Sequence, residues 1–332
     1  MKYFLFVFLY FSGFSLQGQI IRDEIKSMVD SIGPQVASIG VLASIFNHKI
    51  DNDSDRVGAA YYWIAKNIVY DTKSYFSKKR KATYNFRYKN QEEKERKILK
   101  VNMRIADEAF KERKAVARGF SIMFKRLCNN CGVECEIVEG NVKIRPKDIG
   151  RKTGRVDYFW NAVKIDGQWH LVDAAMGAGS LNERSNTFTP AYNETFYLTP
   201  PHYFFLNHYP KQDEWLFCDL TNEDFSALPL FYQSYVDGDV YLSSAIEGVI
   251  SFAPDDTLKL VFAQKSDSEV AATLQAFSYA FEDDSKAKPI EAQFIEGDII
   301  LEIPLGDNRN DFLDIFLNKE ALVTFKIKKN TR

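Results

Sequence analysis

The most reactive side chains of this chain are four cysteines and four histidines among 332 residues. Cys128, Cys131 and Cys135 form the pattern C-x2-C-x3-C, and Cys218 lies far away. Zinc sites usually pair two C-x2-C or Cys/His couples, and no histidine follows here at ligand spacing. We therefore expect no metal and no cofactor. The thiols are either buried and unpaired or joined in part by one disulfide, and the sequence leaves the pairing open.

The cysteines overlap a helix that is buried on one side. From Ala115 to Cys131 the apolar residues recur at helical spacing, and Gly132 is a suitable helix stop. The next runs, CEIVEGNV, FWNAVKI and WHLVDAA, are rich in Val, Ile and aromatic residues and predict strands. The turn residues Asp166 and Gly167 predict that the last two strands form a hairpin. A helix followed by strands without βαβ alternation favours an α+β fold.

The regions on either side have patterns of their own. Apolar spacing predicts a helix over Asp55–Phe76, preceded by a helical lead-in at 19–54. From Asp237 onward, strand-like runs follow one another at short intervals, broken by Asp, Gly, Pro and Ser. The predicted strands are VYLSS, GVISFA, TLKLVFA, EVAATLQAF, IEAQFI, DIILEI and ALVTFKIKK. Residues 237–332 are therefore expected to form a second, all-β domain, an immunoglobulin-like sandwich.

The N-terminus resembles an export signal. One Lys precedes an apolar run from Tyr3 to Phe14, and small and polar residues follow. The run is shorter than the roughly 20 residues that span a bilayer. We expect residues 1–18 to be a cleaved signal peptide, which places the mature protein outside the cell or in the periplasm or cell envelope, with no transmembrane anchor.

Composition excludes few functions, but one stretch has a distinct charge. With 45% hydrophobic residues, 27% charged residues and a formal net charge of −2, the chain is typical of soluble globular proteins. Between residues 73 and 104, however, twelve Lys and Arg face three Glu. The stretch is either a solvated surface or a site for an anionic partner. A nucleic-acid partner is not expected, because no aromatic stacking module accompanies the charges.

Four segments in order resemble the transglutaminase-like superfamily, in its kyphoscoliosis-peptidase-like branch. KAVARGFSIMFKRLCNNCGVECEIVEG is similar to the family's nucleophile helix, and DYFWNAVKIDGQWHLVDAAMGAG to the two strands that follow it. YYWIAKNIVYD and FYLTPPHYFFLNHYPKQDEW resemble the flanking segments. The resemblance covers residues 55–230. It implies a papain-like domain in which a helix packs on an antiparallel sheet.

The resemblance also implies a catalytic triad, and this chain departs from it. The family places a Cys at the helix start, a His on the first strand and an Asp after the second; the matching residues here are Ala117, Tyr158 and Asp173. Ala has no nucleophilic atom. A phenol with an ordinary pKa near 10 cannot replace an imidazole that titrates near neutrality.

No other residue is an obvious substitute for the missing groups. Ser121 lies one helical turn after Ala117 but has no evident base. His170 shares a strand with Asp173 at a separation of three, which directs the two side chains to opposite faces. We interpret all four histidines as structural, and expect Tyr158 to donate a hydrogen bond to Asp173.

These residues lead to a functional expectation. The matching cleft would be lined by Arg118, Ser121, Trp160, Asn161 and Trp169. We expect an inactive member of the family that binds or scaffolds protein, peptide or cell-envelope glycan. The alternative is a peptidase, amidase or transglutaminase-like hydrolase with relocated catalytic residues. An open groove before Ala117 would favour binding there, whereas a filled one would favour an adaptor.

Overall fold

The computed structural model describes residues 20–77, 87–182, 185–244, 247–264, 276–308 and 310–330. The predicted signal peptide and the basic run at 78–81 lie outside these ranges. Among the described residues, no helix combines the length and the apolar character needed to cross a bilayer.

The helices of the described ranges lie mainly in the first two thirds of the chain. They are α1 (Asp23–Ile32), α2 (Ile39–Lys49), α3 (Asp53–Asn67), α4 (Thr72–Phe76), α5 (Gln91–Glu112), α6 (Ala117–Asn130), α7 (Ala174–Gly177), α8 (Pro201–Phe205), α9 (Asn222–Ala227) and α10 (Gln233–Asp237).

The strands of the first part are short or belong to one small sheet. They are β1 (Val69–Tyr70), β2 (Lys114–Ala115), β3 (Cys135–Val142), β4 (Tyr158–Ile165), β5 (Gln168–Val172), β6 (Gly179–Asn182), β7 (Thr187–Pro190), β8 (His208–Pro210) and β9 (Leu230–Phe231).

The strands of the C-terminal part are β10 (Val240–Leu242), β11 (Val249–Phe252), β12 (Thr257–Gln264), β13 (Phe277–Phe281), β14 (Lys288–Pro289), β15 (Gln293–Ile295), β16 (Asp298–Pro304), β17 (Phe312–Leu317) and β18 (Glu320–Lys329).

The central sheet has the order β5-β4-β3-β8, and all its pairs are antiparallel. The predicted hairpin between β4 and β5 is present. Its turn residues Asp166 and Gly167 have φ values of 50° and 79°, as a two-residue turn between twisted strands requires. Helix α6 packs on β3 and β4, and their side chains share the main hydrophobic core.

The predicted helix over Asp55–Phe76 is wrong at residues 68–71, which separate α3 from the short helix α4 (Thr72–Phe76). Helix α3 ends at Asn67, and the chain then extends so that Val69 and Tyr70 pair in parallel with Lys114 and Ala115. The pairing is non-local and only two residues long, so helical periodicity could not reveal it.

The C-terminal part consists of two sheets around a second core. One has the order β10-β12-β16-β15 and the other β11-β18-β17-β13-β14, with β9 also on β18. Both sheets contribute to one hydrophobic cluster. The α+β fold with a β-rich C-terminal part is therefore confirmed. Strand β17 was not predicted, and most of the predicted strand EVAATLQAF lies outside the described residues.

The predicted domain boundaries remain predictions. Leu230 and Phe231 already pair with Val323 and Thr324 in β18, so the β-rich part includes residues that precede the predicted start at 237.

Candidate active site at the start of helix α6

Ala117 occupies the first position of α6, where the resemblance places a nucleophile. Its N-cap residue, Val116, provides no side-chain cap. The Tyr70 hydroxyl lies near the backbone N–H of Ala117, and burial raises the pKa of that phenol although this N–H acts in the opposite direction. The Ala117 side chain is 4% exposed. A tyrosine hydroxyl therefore lies at the helix start, and a methyl group replaces the reactive atom.

Aromatic side chains fill the space around Ala117. The Tyr70 ring stacks on Phe120 and Phe188, with ring centroids 6.2 and 5.9 Å away. Phe120 and Tyr158 are both buried. The start of α6 is thus packed with rings, which is the arrangement expected of an adaptor.

Tyr158 begins β4 at the position of the family's histidine. The pKa of the Tyr158 hydroxyl is raised well above that of an ordinary phenol, chiefly because the side chain is buried. The charge of Asp173 and a hydrogen bond to it act in the same direction. The Tyr158 hydroxyl therefore stays protonated and cannot serve as a general base near neutral pH.

Asp173 ends β5 and caps the short helix α7. Its Oδ1 accepts hydrogen bonds from the backbone N–H groups of Ala175 and Met176, at 2.8 and 3.0 Å. Its Oδ2 lies 3.1 Å from Nε2 of His208, and both side chains are buried. Asp173 thus has a structural role at the turn and one direct imidazole partner.

The His208 side chain is fixed by strand pairing, ring stacking and contacts of both ring nitrogens. Strand β8 pairs with β3, where His208 lies opposite Val142. The ring stacks on Phe204 with centroids 3.9 Å apart, and Nδ1 lies 3.3 Å from the Phe204 carbonyl oxygen. Both ring nitrogens therefore face oxygen acceptors.

The structure changes the interpretation of His208. From sequence, His208 is interpreted as structural and Tyr158 is expected to be the partner of Asp173. The structure shows His208 buried and makes it a hydrogen-bonding partner of Asp173 as well. The two are 35 positions apart, and only the register of β8 on β3 brings them together.

Three predicted cleft residues are buried within the domain. Ser121 is 2% exposed and donates from its hydroxyl to the Ala117 carbonyl oxygen at 3.0 Å. Asn161 donates to the carbonyl oxygens of Ser121 and Glu136, both at 3.0 Å. Trp160 packs on His208, with centroids 5.1 Å apart. Asn161 thus connects β4 to α6, and all three side chains are buried rather than exposed on a cleft.

The other two predicted cleft residues lie apart from this cluster. The Arg118 guanidinium lies 5.5 Å from the centroid of Phe159. Trp169 is half-buried and packs edge-on against Trp215, with centroids 5.3 Å apart. Burial lowers the pKa of the neighbouring His170. The structure does not bring these residues together at one site.

The described cysteines offer no replacement nucleophile or metal site. Cys128, Cys131 and Cys135 are buried and Cys218 is partly buried, all as free thiols. Burial raises the pKa of Cys128 well above its usual value and that of Cys131 to about 11, so these thiols stay protonated at neutral pH. Within the described ranges, His, Cys, Asp and Glu form no cluster that could hold a metal ion.

The described part of the basic stretch keeps an excess of positive charge, with eight Lys and Arg and three Glu between residues 73 and 104. Helix α5 as a whole contains six Lys or Arg and six Asp or Glu, because its last turns add acidic residues. Lys97 pairs with Glu93 at 2.9 Å, and Arg126 of α6 pairs with Asp107 at 2.5 Å. The other four basic residues of the stretch, at 78–81, lie outside the described residues.

The chain is similar to known proteins over its first two thirds. A family profile described as the transglutaminase-like superfamily matches residues 42–174. Kyphoscoliosis peptidase of Mus musculus is 29% identical over 207 residues, and that of Homo sapiens is 30% identical over 207 residues. Each alignment covers 58% of this chain and 28% of the relative. Hillarin of Drosophila melanogaster is 27% identical over 150 residues, 41% of this chain and 18% of hillarin.

Similarity to solved structures is low. A TGase crystal structure matches at 17% identity and a TM-score of 0.28, covering 52% of this chain and 36% of that one. The chain spans less than a third of the length of the curated relatives named above. Residues 42–174, which include α6, β3, β4 and β5, therefore match the transglutaminase-like superfamily, and the chain is similar to kyphoscoliosis peptidase.

Proposed function

We propose that this chain is a catalytically silent transglutaminase-like protein that acts as a binding or scaffolding module. The observation that supports this most strongly is the pair of residues at the two reactive positions, the buried Ala117 and the buried Tyr158. A family reaction needs a thiolate and an imidazole there. Loss of a nucleophile lowers a reaction rate by several orders of magnitude.

The packing around Ala117 supports a scaffold more than a ligand-binding cleft. The Tyr70 hydroxyl lies near the helix start, and the rings of Phe120 and Phe188 pack on Tyr70. A peptide could enter only if these rings moved out of the core. Partners, which we propose to be protein, peptide or cell-envelope glycan, would therefore bind the outer surface of the protein.

The contact between Asp173 and His208 favours a second candidate, a hydrolase whose catalytic residues lie at other positions than in the family. A carboxylate that orients an imidazole is a common part of nucleophilic catalysis. The relatives named kyphoscoliosis peptidase make peptide hydrolysis the first reaction to test. However, both nitrogens of His208 are engaged, and the Ser121 hydroxyl donates to the Ala117 carbonyl. The silent protein is therefore our conclusion.

Export of the protein remains part of the proposal. It is based on the signal-like pattern of residues 1–18 and would place the mature chain outside the cell or in the periplasm or cell envelope. An anionic partner for the basic stretch at 73–104 is likewise part of the proposal, based on its twelve Lys and Arg against three Glu.

The proposal is tested by assaying the purified chain for peptide hydrolysis and for amine incorporation into glutamine. We expect no turnover above the rate of a heat-denatured sample. Turnover that Ser121→Ala abolishes, and that the exposed control Ser31→Ala leaves intact, would support the hydrolase instead.

A further inference from the structure

Two cysteines meet where α6 ends and β3 begins. Cys128 lies in the last turn of α6, and Cys135 is the first residue of β3. Their exposed fractions are 0% and 1%, and both belong to the main core. The chain between them reverses sharply, with Gly132 at φ 82° and the Val133 N–H donating to the Cys128 carbonyl oxygen at 3.0 Å. This turn brings the start of β3 back beside the end of the helix.

The Cys128 thiol has Cys135 as a neighbour. Burial is the largest cause of its raised pKa, and Cys135 contributes more to that increase than Cys131 does. The other two cysteines have different surroundings. Cys131 lies near Arg56 and Asp53, and Cys218 packs against a small separate cluster. Among the described residues, Cys128 and Cys135 are therefore the pair whose positions suit a disulfide.

We propose that Cys128 and Cys135 form a disulfide when the chain folds under oxidising conditions. Each thiol loses a proton, one sulfur–sulfur bond forms, and a small-molecule disulfide such as oxidised glutathione is reduced to two thiols. The bond must form before folding is complete, because the buried thiols of the native core are inaccessible and protonated. The product covalently joins the helix of the candidate active site to the adjacent sheet.

A disulfide here goes beyond the proposed function and does not depend on whether the protein is catalytically silent. It closes a short loop within the core of the transglutaminase-like domain. A cross-link of this kind stabilises mainly by restricting the unfolded chain, and short loops give a moderate effect. Exported proteins are the ones in which such bonds persist.

The direct test is the thiol state of the full chain after refolding with a mixture of reduced and oxidised glutathione. Free thiols are blocked with iodoacetamide in denaturant, and the protein is digested with a protease that cleaves after Glu. Cleavage after Glu134 separates Cys135 from Cys128 and Cys131. We expect a disulfide-linked peptide pair containing Cys135, with Cys218 blocked. Four blocked cysteines would overturn the proposal.

Single substitutions identify the partner of Cys135. Cys131→Ser should retain the linked pair, and Cys128→Ser should abolish it. The opposite result would assign the bond to Cys131 and refute the pairing.

Thermal unfolding gives a second, independent readout. A reducing agent should lower the melting temperature of the wild type and of Cys131→Ser by about 5 °C. The same reagent should leave Cys135→Ser unchanged. An equal effect on all three proteins, or none on any, would contradict the proposal.

Discussion

Lys143 allows a quantitative test of the packing between the central sheet and the segment that leads to the β-rich part. It follows β3 directly and is 1% exposed. Its Nζ donates to the carbonyl oxygens of Phe225 and Leu228 at 2.5 and 2.6 Å, and lies 4.8 Å from the Phe225 ring centroid. Burial lowers the pKa of this amine from 10.5 to about 7, although Asp148 acts in the opposite direction.

The sign of the pH dependence follows from this shift. Between pH 7 and 10.5 the unfolded chain binds a proton at Lys143 that the folded chain does not. Stability therefore rises with pH through that window. One proton changes the free energy of unfolding by at most about 1.4 kcal/mol per pH unit, so an increase from pH 7.0 to 8.5 should contribute about 1.5 kcal/mol. The comparison ends at pH 8.5, because above it the cysteines of the unfolded chain begin to lose protons that the buried thiols of the folded chain keep. This difference lowers stability as the pH rises and would oppose the effect of Lys143.

The perturbation is Lys143→Met, which removes the titrating group and retains the apolar stem. Urea unfolding at both pH values gives the free energy of unfolding of the wild type, of Lys143→Met and of the exposed control Lys152→Met. We expect the wild type and the control to gain about 1.5 kcal/mol more than Lys143→Met over this range. An equal gain in all three proteins would refute the reasoning.

Three further predictions concern the site and the N-terminus. His208→Leu should lower the free energy of unfolding by about 2–5 kcal/mol, because it leaves the buried Asp173 carboxyl without its imidazole partner. The exposed control His202→Leu should have little effect. Denaturant titration measures the free energy of unfolding of both variants and of the wild type. Tyr158→Phe should lower the melting temperature more than the exposed control Tyr88→Phe, and equal shifts would show that the hydroxyl of Tyr158 does not hold the two strands together. If export occurs as proposed, N-terminal sequencing of the secreted protein should begin at Gln19, and a secreted chain that begins at Met1 would contradict it.

Local patterns predicted the elements that support the candidate site. Helix α6 and strands β3, β4 and β5 have strong periodicity and turn residues at their ends, whereas the assignment of Ala117, Tyr158 and Asp173 to the reactive positions came from the resemblance to the transglutaminase-like superfamily. These signals depend only on neighbours along the chain.

The contacts across the site could not be predicted in the same way. The approach of Tyr70 to the helix start depends on the two-residue pairing of β1 with β2, and that of His208 to Asp173 on the register of β8. The burial of Lys143 depends on two carbonyl oxygens more than 80 positions away. Each is a non-local packing result that leaves no periodic trace in the sequence.

The most direct test of the account is a side-by-side assay of peptide hydrolysis and of amine incorporation into glutamine. It compares the wild type with the double variant Ala117→Cys/Tyr158→His, which restores both missing groups while the helix start and Asp173 stay in place. We expect no turnover by the wild type, and none by the double variant either, because the rings around residue 117 keep a substrate away from the helix start. Turnover by the wild type would contradict the conclusion that this domain is silent.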